Sequence, residues 1–289
     1  MVRPRTRDRA ELRALLPDVD IVVGDWGGDF FLGAIEADLA PHLRLIQQPG
    51  VGVDFIDVEA WRRVGVPVAN TPGANASSVA EWAVIAAGSL IRSMAWAHKE
   101  TRAGRWPQQQ ILDRGCFDLG DRRAGIIGFG DVGRRCTALF EAFGCEVAYT
   151  ATQLHPDARS RYLPLDDLLT RSDVLVVAVP LTEQTRGLIS ARELGKVPAG
   201  SIVINVGRGA VIDESALVDA LRTGRIGGAA MDVFVSEPIA VDSPLLTLDR
   251  VLLSPHVAGG SSTARRHIYT MAAENVARAC FGEAPLRTL

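Results

Sequence analysis

Gly128-Phe129-Gly130-Asp131-Val132-Gly133 directly follows the apolar run Ala124-Gly-Ile-Ile and directly precedes a helical pattern. No other stretch restricts the fold as much. Three glycines at this spacing demand a tight turn, a backbone that a pyrophosphate can approach, and a helix packed close on its strand. The phosphates then rest on unpaired amides at the positive end of the helix. The six residues are therefore a candidate dinucleotide-binding turn.

The rest of the chain repeats a short β-rich run followed by a helical pattern, the rhythm of parallel sheets with helices on both faces. Strands are expected at residues 20–24, 43–47 and 66–69, making a first α/β unit. A second unit has strands at 124–128, 146–149, 174–179, 202–206, 229–233 and 251–254. Between the units, Ser78-x-x-Glu81 has the form of a capping box. It opens one long helix through Val84, Ile85, Leu90, Ile91 and Met94, with Gly104 as its stop. Asp213 is expected to cap the helix that follows it. A last helix runs over residues 263–281. The expected domains are a substrate domain, residues 1–76 and 259–289, and a dinucleotide-binding domain, residues 77–258.

Composition excludes several classes. Of the 289 residues, 47 % are hydrophobic and 22 % charged, which fits a globular chain and not a disordered one. A net charge of -3 argues against a nucleic-acid surface. No apolar run is long enough to span a membrane. Arg3, Arg5, Arg7 and Arg9 are not followed by an apolar segment, so no secretory signal is expected. Cys116, Cys136, Cys145 and Cys280 lack CxxC spacing and read as reduced thiols of a cytoplasmic protein, each a small buried hydrophobe. No metal site is expected. Lys99 and Lys196 are the only lysines, and neither sits where Schiff-base chemistry would need it.

The reactive groups gather in the last third. Asn205-Val-Gly-Arg208-Gly209, Asp232-Val-Phe-Val-Ser-Glu237 and Ser254-Pro-His256 each lie just past an expected strand, at the sheet edge where α/β proteins bind ligands. An arginine there can clamp a carboxylate through two parallel hydrogen bonds. A histidine can trade a proton near neutral pH, and a carboxylate bonded to it favours the imidazolium. Reduction of a 2-oxo acid needs these groups beside a hydride source. His42, His98, His155 and His267 lack such a setting. Past the strand ending at Tyr149, where an acidic residue usually holds the ribose hydroxyls, stands Thr150-Ala-Thr152-Gln-Leu-His-Pro. Asp157 lies too far along. Thr150 and Thr152 can hydrogen-bond a 2′-phosphate, and Arg159 or Arg161 can pair with it. The expected coenzyme is NADP or NAD, with NADP favoured.

Gly50-Val-Gly-Val-Asp54, Asn70-Thr-Pro-Gly-Ala-Asn75, Ala80-Glu81, the glycine turn, Pro180-Leu-Thr-Glu-Gln-Thr185-Arg-Gly187, Val206-Gly-Arg208-Gly, Asp232-Val-Phe and Pro255-His256-Val-Ala-Gly occur in this order. Together they resemble the D-isomer-specific 2-hydroxyacid dehydrogenases over essentially the whole chain. The resemblance implies a Rossmann-type doubly wound parallel sheet beside a smaller, N-terminally shortened flavodoxin-like α/β domain. It assigns Arg208 to the substrate carboxylate, His256 to acid/base work and Glu237 to orienting His256. It adds the backbone of Val51 and Gly52, with Asn75, to the substrate site. Around the coenzyme it places Gly128 to Gly133, Thr150, Thr152, Val179, Pro180, Thr185, Val206, Gly207, Asp232 and Gly259. It further implies a cleft site for a small 2-oxo or 2-hydroxy acid, and a homodimer paired through the long helix region. Corepressor relatives of the fold keep the Arg, Glu and His while binding partners, so a dinucleotide-sensing protein is the rival reading, and an inactive truncated paralogue a third.

Three departures from the family stand out. Phe55 and Trp82 occupy places where polar residues are common, which makes the surroundings more apolar. The aromatic residues Trp26, Phe30 and Phe31 fall in a loop, residues 24–31, that together with residues 106–110 is expected to set substrate preference. The chain also opens later than the family's substrate domain, by a strand, a helix and a strand. Loss of those strands predicts a three-stranded remnant with residues 20–24 as its new edge. Unpaired edges are a liability, so the edge is expected to be covered by another chain or by the N-terminal arm.

Overall fold

Two parallel sheets organise the chain, one in each of two units: residues 1–75 with 262–289, and residues 76–261. The computed structural model describes residues 1–6, 8–25 and 30–289. Arg7 and Trp26 therefore lie outside the described residues. Among these, no helix is long and apolar enough to cross a membrane.

The first unit runs α1 (Arg9–Leu15), β1 (Ile21–Val23), α2 (Ala34–Asp38), β2 (Leu45–Gln47), α3 (Val58–Arg63) and β3 (Val68–Ala69). Its sheet has the order β1-β2-β3, all parallel. Trp61 is fully buried and donates its indole N–H to the Leu32 carbonyl at 3.0 Å. Buried Glu36 accepts from the amide of Gly33 at 3.0 Å and from Arg13 Nε at 2.9 Å, which ties α1 to α2. Burial pushes the Glu36 carboxyl up, but those two donors outweigh it and hold the group below its ordinary range. The strand β1 is the sheet edge, as expected. The N-terminal arm does not cover it: the amides of Arg5 and Thr6 are spent on Glu11 instead. Among the described residues the outer side of β1 has no backbone partner, and Val23 is exposed.

The second unit begins with α4 (Ala76–Ile91), α5 (Met94–Arg102) and α6 (Gln108–Asp113). It continues through β4 (Arg123–Ile127), α7 (Asp131–Ala142), β5 (Glu146–Thr150), β6 (Arg161–Tyr162), α8 (Leu165–Arg171) and β7 (Val174–Val177). It closes with α9 (Ala191–Lys196), β8 (Ile202–Asn205), α10 (Glu214–Arg222), β9 (Gly228–Met231) and β10 (Val251–Leu253). The sheet order is β10-β9-β8-β7-β4-β5-β6, parallel throughout. This is the doubly wound order, with the reversal between β4 and β7. Central strands are buried on both faces, which is why they read as unbroken apolar runs. Leu175, Val177 and Val203 enter one core cluster, while Val174, Val176, Ile202 and Ile204 enter the other. Asp213 caps α10 by accepting from the Ala216 amide at 3.1 Å.

After β10 the chain returns to the first unit as α11 (Ser262–Cys280). Fully buried Asn275 anchors this helix to the unit's own sheet. Its Nδ2 donates to Gln47 Oε1 at 2.7 Å and to the Leu286 carbonyl at 2.9 Å, and its Oδ1 accepts the Leu286 amide at 2.8 Å.

Two helix expectations are corrected. The capping box does not form, because α4 starts at Ala76 and Ser78 is already inside its first turn; Ser78 Oγ instead meets Ser261 Oγ at 2.6 Å. The long helix is also interrupted. Ser93 takes a left-handed conformation (φ 50°) between α4 and α5, a conformation that stops helical hydrogen bonding. The two-residue strand β6 is additional to the expected strands. Of the cysteines, all free, Cys136 and Cys145 are buried but Cys280 is exposed, so the small-hydrophobe reading fails there. Burial pushes the Cys136 thiol up to about 12.

The glycine turn gives a direct test of this packing. A Cβ at Gly133 would overlap the Gly128 carbonyl, whereas a Cβ at Gly130 meets nothing within 4 Å. Gly133→Ala is expected to destabilise the protein by about 2 kcal/mol, in the range of core overpacking. Gly130→Ala is expected to leave the thermal midpoint unchanged; thermal melts of both variants check this.

Candidate active site

Parallel strands with helical crossovers bring every strand's C-terminal end to one edge of the seven-stranded sheet. At β4 the chain turns through Gly128, whose φ of 97° is a left-handed value suited to glycine. A side chain there would stand 2.6 Å from the Ala178 carbonyl oxygen. Gly130 then caps α7, with Asp131 and Val132 in its first turn and amides that have no partner inside the helix. Open space at Gly130, a helix N-terminus behind it and the close Gly133–Gly128 contact fit a dinucleotide pyrophosphate. Phe129 is nearly buried and stacks on fully buried Tyr149 at 3.8 Å between ring centroids. It therefore lends its ring to the core and only its backbone to the turn.

Neighbouring strand ends frame the turn. The amide of Gly128 bonds the Thr150 carbonyl at 2.9 Å, placing Thr150 beside the glycines, while Thr152 is exposed. At the end of β7, Thr185 Oγ1 donates to the Pro180 carbonyl at 2.6 Å and accepts from the Thr182 amide at 2.8 Å. A side chain at Gly207 would stand 2.5 Å from the Val179 carbonyl oxygen, and the Val206 amide bonds Val177 at 3.1 Å. These contacts bring Val179, Pro180, Thr185, Val206 and Gly207 to one stretch of the edge.

Past β8, buried Asn205 shapes the turn that carries Arg208. Its Nδ2 donates to the Arg208 carbonyl at 3.0 Å and its Oδ1 accepts the Gly207 amide at 3.1 Å. Half-buried Arg208 donates through Nη1 to the Gly207 carbonyl at 2.8 Å. Past β9, Asp232 is almost fully buried and accepts from Ser254 Oγ, from the Val257 amide at 2.8 Å and from the Ala258 amide at 2.9 Å. Its backbone carbonyl takes the His256 amide at 2.8 Å. Burial pushes the Asp232 carboxyl up, against the pull of Ser254 and the two amides. These bonds hold the turn in which His256 has a left-handed φ of 53°. Gly259 follows, half-buried.

Glu237 Oε2 lies 2.8 Å from His256 Nδ1, and Glu237 Oε1 accepts the Phe234 amide at 3.0 Å. Burial raises the Glu237 carboxyl, yet the bonds from His256 and Phe234, with the charges of His256 and Arg208, hold it below its ordinary value. An ionised Glu237 accepts from Nδ1–H, which leaves His256 Nε2 as the outward ring nitrogen. The edge thus joins a guanidinium, a carboxylate-bonded imidazole and a buried carboxylate past three adjacent strands. Ser254 and the Phe234 amide were missed from sequence because a serine and a main-chain donor carry no pattern. Asn205 had one signal, a polar residue ending an apolar strand.

The remaining expected residues lie in the first unit. Val51 is exposed, and neither its amide nor that of Gly52 has a hydrogen-bond partner among the described residues. The Val51 carbonyl accepts from Asn70 Nδ2 at 2.8 Å, and Asn75 is the unit's last residue before α4. Phe30 packs in the core there, while Phe31 is exposed.

Comparison with known proteins agrees with this architecture. A family model described as "D-isomer specific 2-hydroxyacid dehydrogenase, NAD binding domain" matches residues 84–258. The chain is 38 % identical to a glyoxylate reductase of Aeropyrum pernix over 87 % of this chain and 78 % of that protein. It is 34 % identical to a hydroxypyruvate reductase of Thermotoga maritima, over 90 % of this chain and 85 % of that one. A crystal structure of an Aquifex aeolicus D-lactate dehydrogenase, complexed with NAD and lactic acid, superposes with a TM-score of 0.86 at 26 % identity. That superposition covers 94 % of this chain and 86 % of the other. With the family model spanning more than half its length, the chain belongs to the D-isomer-specific 2-hydroxyacid dehydrogenases, a family of NAD-dependent oxidoreductases.

Proposed function

We propose that this chain interconverts a small 2-oxo acid and its D-2-hydroxy acid. The observation that carries the reading is the His256–Glu237 pair, 2.8 Å apart, at the strand edge that also holds Arg208 and the glycine turn. A nicotinamide coenzyme, when bound, would supply the hydride that is exchanged with the substrate's C2. His256 Nε2 gives the proton to the carbonyl oxygen in reduction and takes it back in oxidation. Glu237 holds the ring and supplies the imidazolium's counter-charge. Arg208 grips the carboxylate. The amides after Gly128 would hold the pyrophosphate, and Val179, Pro180, Thr185, Val206, Gly207, Asp232 and Gly259 would serve the nicotinamide end. Thr150, Thr152, Arg159 and Arg161 would serve the ribose end, and without an acid at the end of β5 they favour NADP over NAD. Glyoxylate and hydroxypyruvate are the first substrates to test, given the similar reductases. A cytoplasmic setting suits the four free thiols.

Reduced-coenzyme oxidation with NADH and NADPH against glyoxylate, pyruvate, hydroxypyruvate and phenylpyruvate tests the reaction. Arg208→Ala is expected to lower kcat/KM about a thousandfold, roughly 4 kcal/mol of transition-state stabilisation. Near-wild-type turnover would refute the role.

Glu237→Gln should move the pH profile. The depressed Glu237 group contributes above its ordinary value of 4.5, and that contribution is lost as pH falls through its lower folded value. At neutral pH it is therefore fully present. Removing the carboxylate takes that contribution away at every pH above its folded value, so kcat/KM at pH 7 should fall about a hundredfold and the loss that this group causes below pH 4.5 should be absent. An unchanged acid limb, with kcat/KM at pH 7 intact, would exclude this role of Glu237.

The homodimer implied by the resemblance has a suitable surface on α4, where Ile85 is 71 % exposed. Light scattering is expected to give twice the 31.0 kDa chain mass. Ile85→Glu is expected to give the monomer, since a charge buried in an interface is strongly unfavourable.

A further inference from the structure

Arg134 is the first residue after the glycine turn, and the chain leaving β5 folds back onto it. Its Nη1 lies 3.0 Å from Asp157 Oδ2 and its Nη2 lies 2.8 Å from His155 Nδ1. Its guanidinium carbon stands 4.9 Å from the centroid of the Phe129 ring. Arginine only donates, so His155 Nδ1 accepts and the ring proton is on Nε2. The His155 amide donates to Tyr149 Oη at 3.0 Å, beneath the same stack. The segment carrying Asp157 is thus tied to α7 and to β5 at once. Asp157 looked too distant in sequence, but the fold returns its carboxylate to the start of α7.

The charges around this turn are unequal. Asp157 is largely exposed, and its own backbone amide and then Arg134 hold its carboxyl below the usual range, so it is ionised at neutral pH. Arg159 and Arg161 are exposed and have no acidic partner among the described residues. At this end of a dinucleotide site, a carboxylate accepts from a ribose 2′-hydroxyl and repels a 2′-phosphate, while arginines attract the phosphate.

We propose that Asp157, held by Arg134, sets this chain's choice between the two nicotinamide coenzymes. Its carboxylate neutralises Arg134, stands in for the acid missing at the end of β5, and restrains the 2′-phosphate preference that Arg159 and Arg161 create. The inference rests on the coenzyme reading above.

The test is equilibrium titration of NADH and NADPH by fluorescence, without substrate, on wild type, Asp157→Asn and Asp157→Glu. Adenosine 2′,5′-bisphosphate is titrated as a competitor. Asp157→Asn releases Arg134 to the phosphate and is expected to raise the ratio of NADPH to NADH affinity about tenfold, an ordinary magnitude for one charged contact. The bisphosphate should tighten in parallel. Asp157→Glu keeps the charge and should leave the ratio within about twofold. A ratio unmoved by Asp157→Asn, with both coenzymes still bound, overturns the proposal. An equal shift in Asp157→Glu overturns it too, since charge would then not be the cause. If wild type binds neither coenzyme, the coenzyme reading falls and this inference falls with it.

Discussion

The contact on which the second unit depends is the approach of α7 to β4. A helix can begin this close to its own strand only where it carries no side chain toward it, and Gly133 faces the Gly128 carbonyl with no room for a Cβ. That closeness has two consequences. It aims the first-turn amides of α7 at the sheet edge, and it lets Phe129 stack inward on Tyr149. The turn is thereby braced from below by an aromatic pair while its upper side stays open at Gly130. Close packing and an open helix N-terminus come from the same three residues.

A second constraint concerns His256. The residue has a left-handed backbone, a conformation unfavourable for a non-glycine residue, and Asp232 supplies the bonds that hold it. Three donors converge on the Asp232 carboxylate, and its own carbonyl takes the His256 amide. Glu237 then fixes the ring itself. Backbone and side chain of the histidine are thus held by different residues, from the ends of different segments. A side chain held this way at both backbone and ring has little freedom left to lose on binding.

Much of this was legible in the amino-acid pattern, for physical reasons. Unbroken apolar runs mark strands buried on both faces, so the central strands were found to within a residue or two. The glycine spacing and the strand-end positions of Arg208, Glu237 and His256 needed no tertiary information. Other features failed for equally physical reasons. Ser78 and Glu81 have capping-box spacing, but spacing does not say where a helix starts, and α4 starts earlier. Ile85 and Met94 continued the helical apolar pattern although both are exposed. The two-residue β6 offered too short a pattern to detect.

By itself the sequence determined the strand-and-helix architecture and which residue types stand at the strand ends, because periodicity, glycine spacing and residue type are local properties. It determined that a glycine-rich turn, an arginine, a glutamate and a histidine occur on one chain in strand-end positions. The tertiary structure alone decided which groups meet. It put Glu237 on His256 Nδ1, gathered Ser254 and two amides on Asp232, and returned Asp157 to Arg134. Those pairings join residues far apart in the chain, and no local pattern encodes a distance that only the folded path creates.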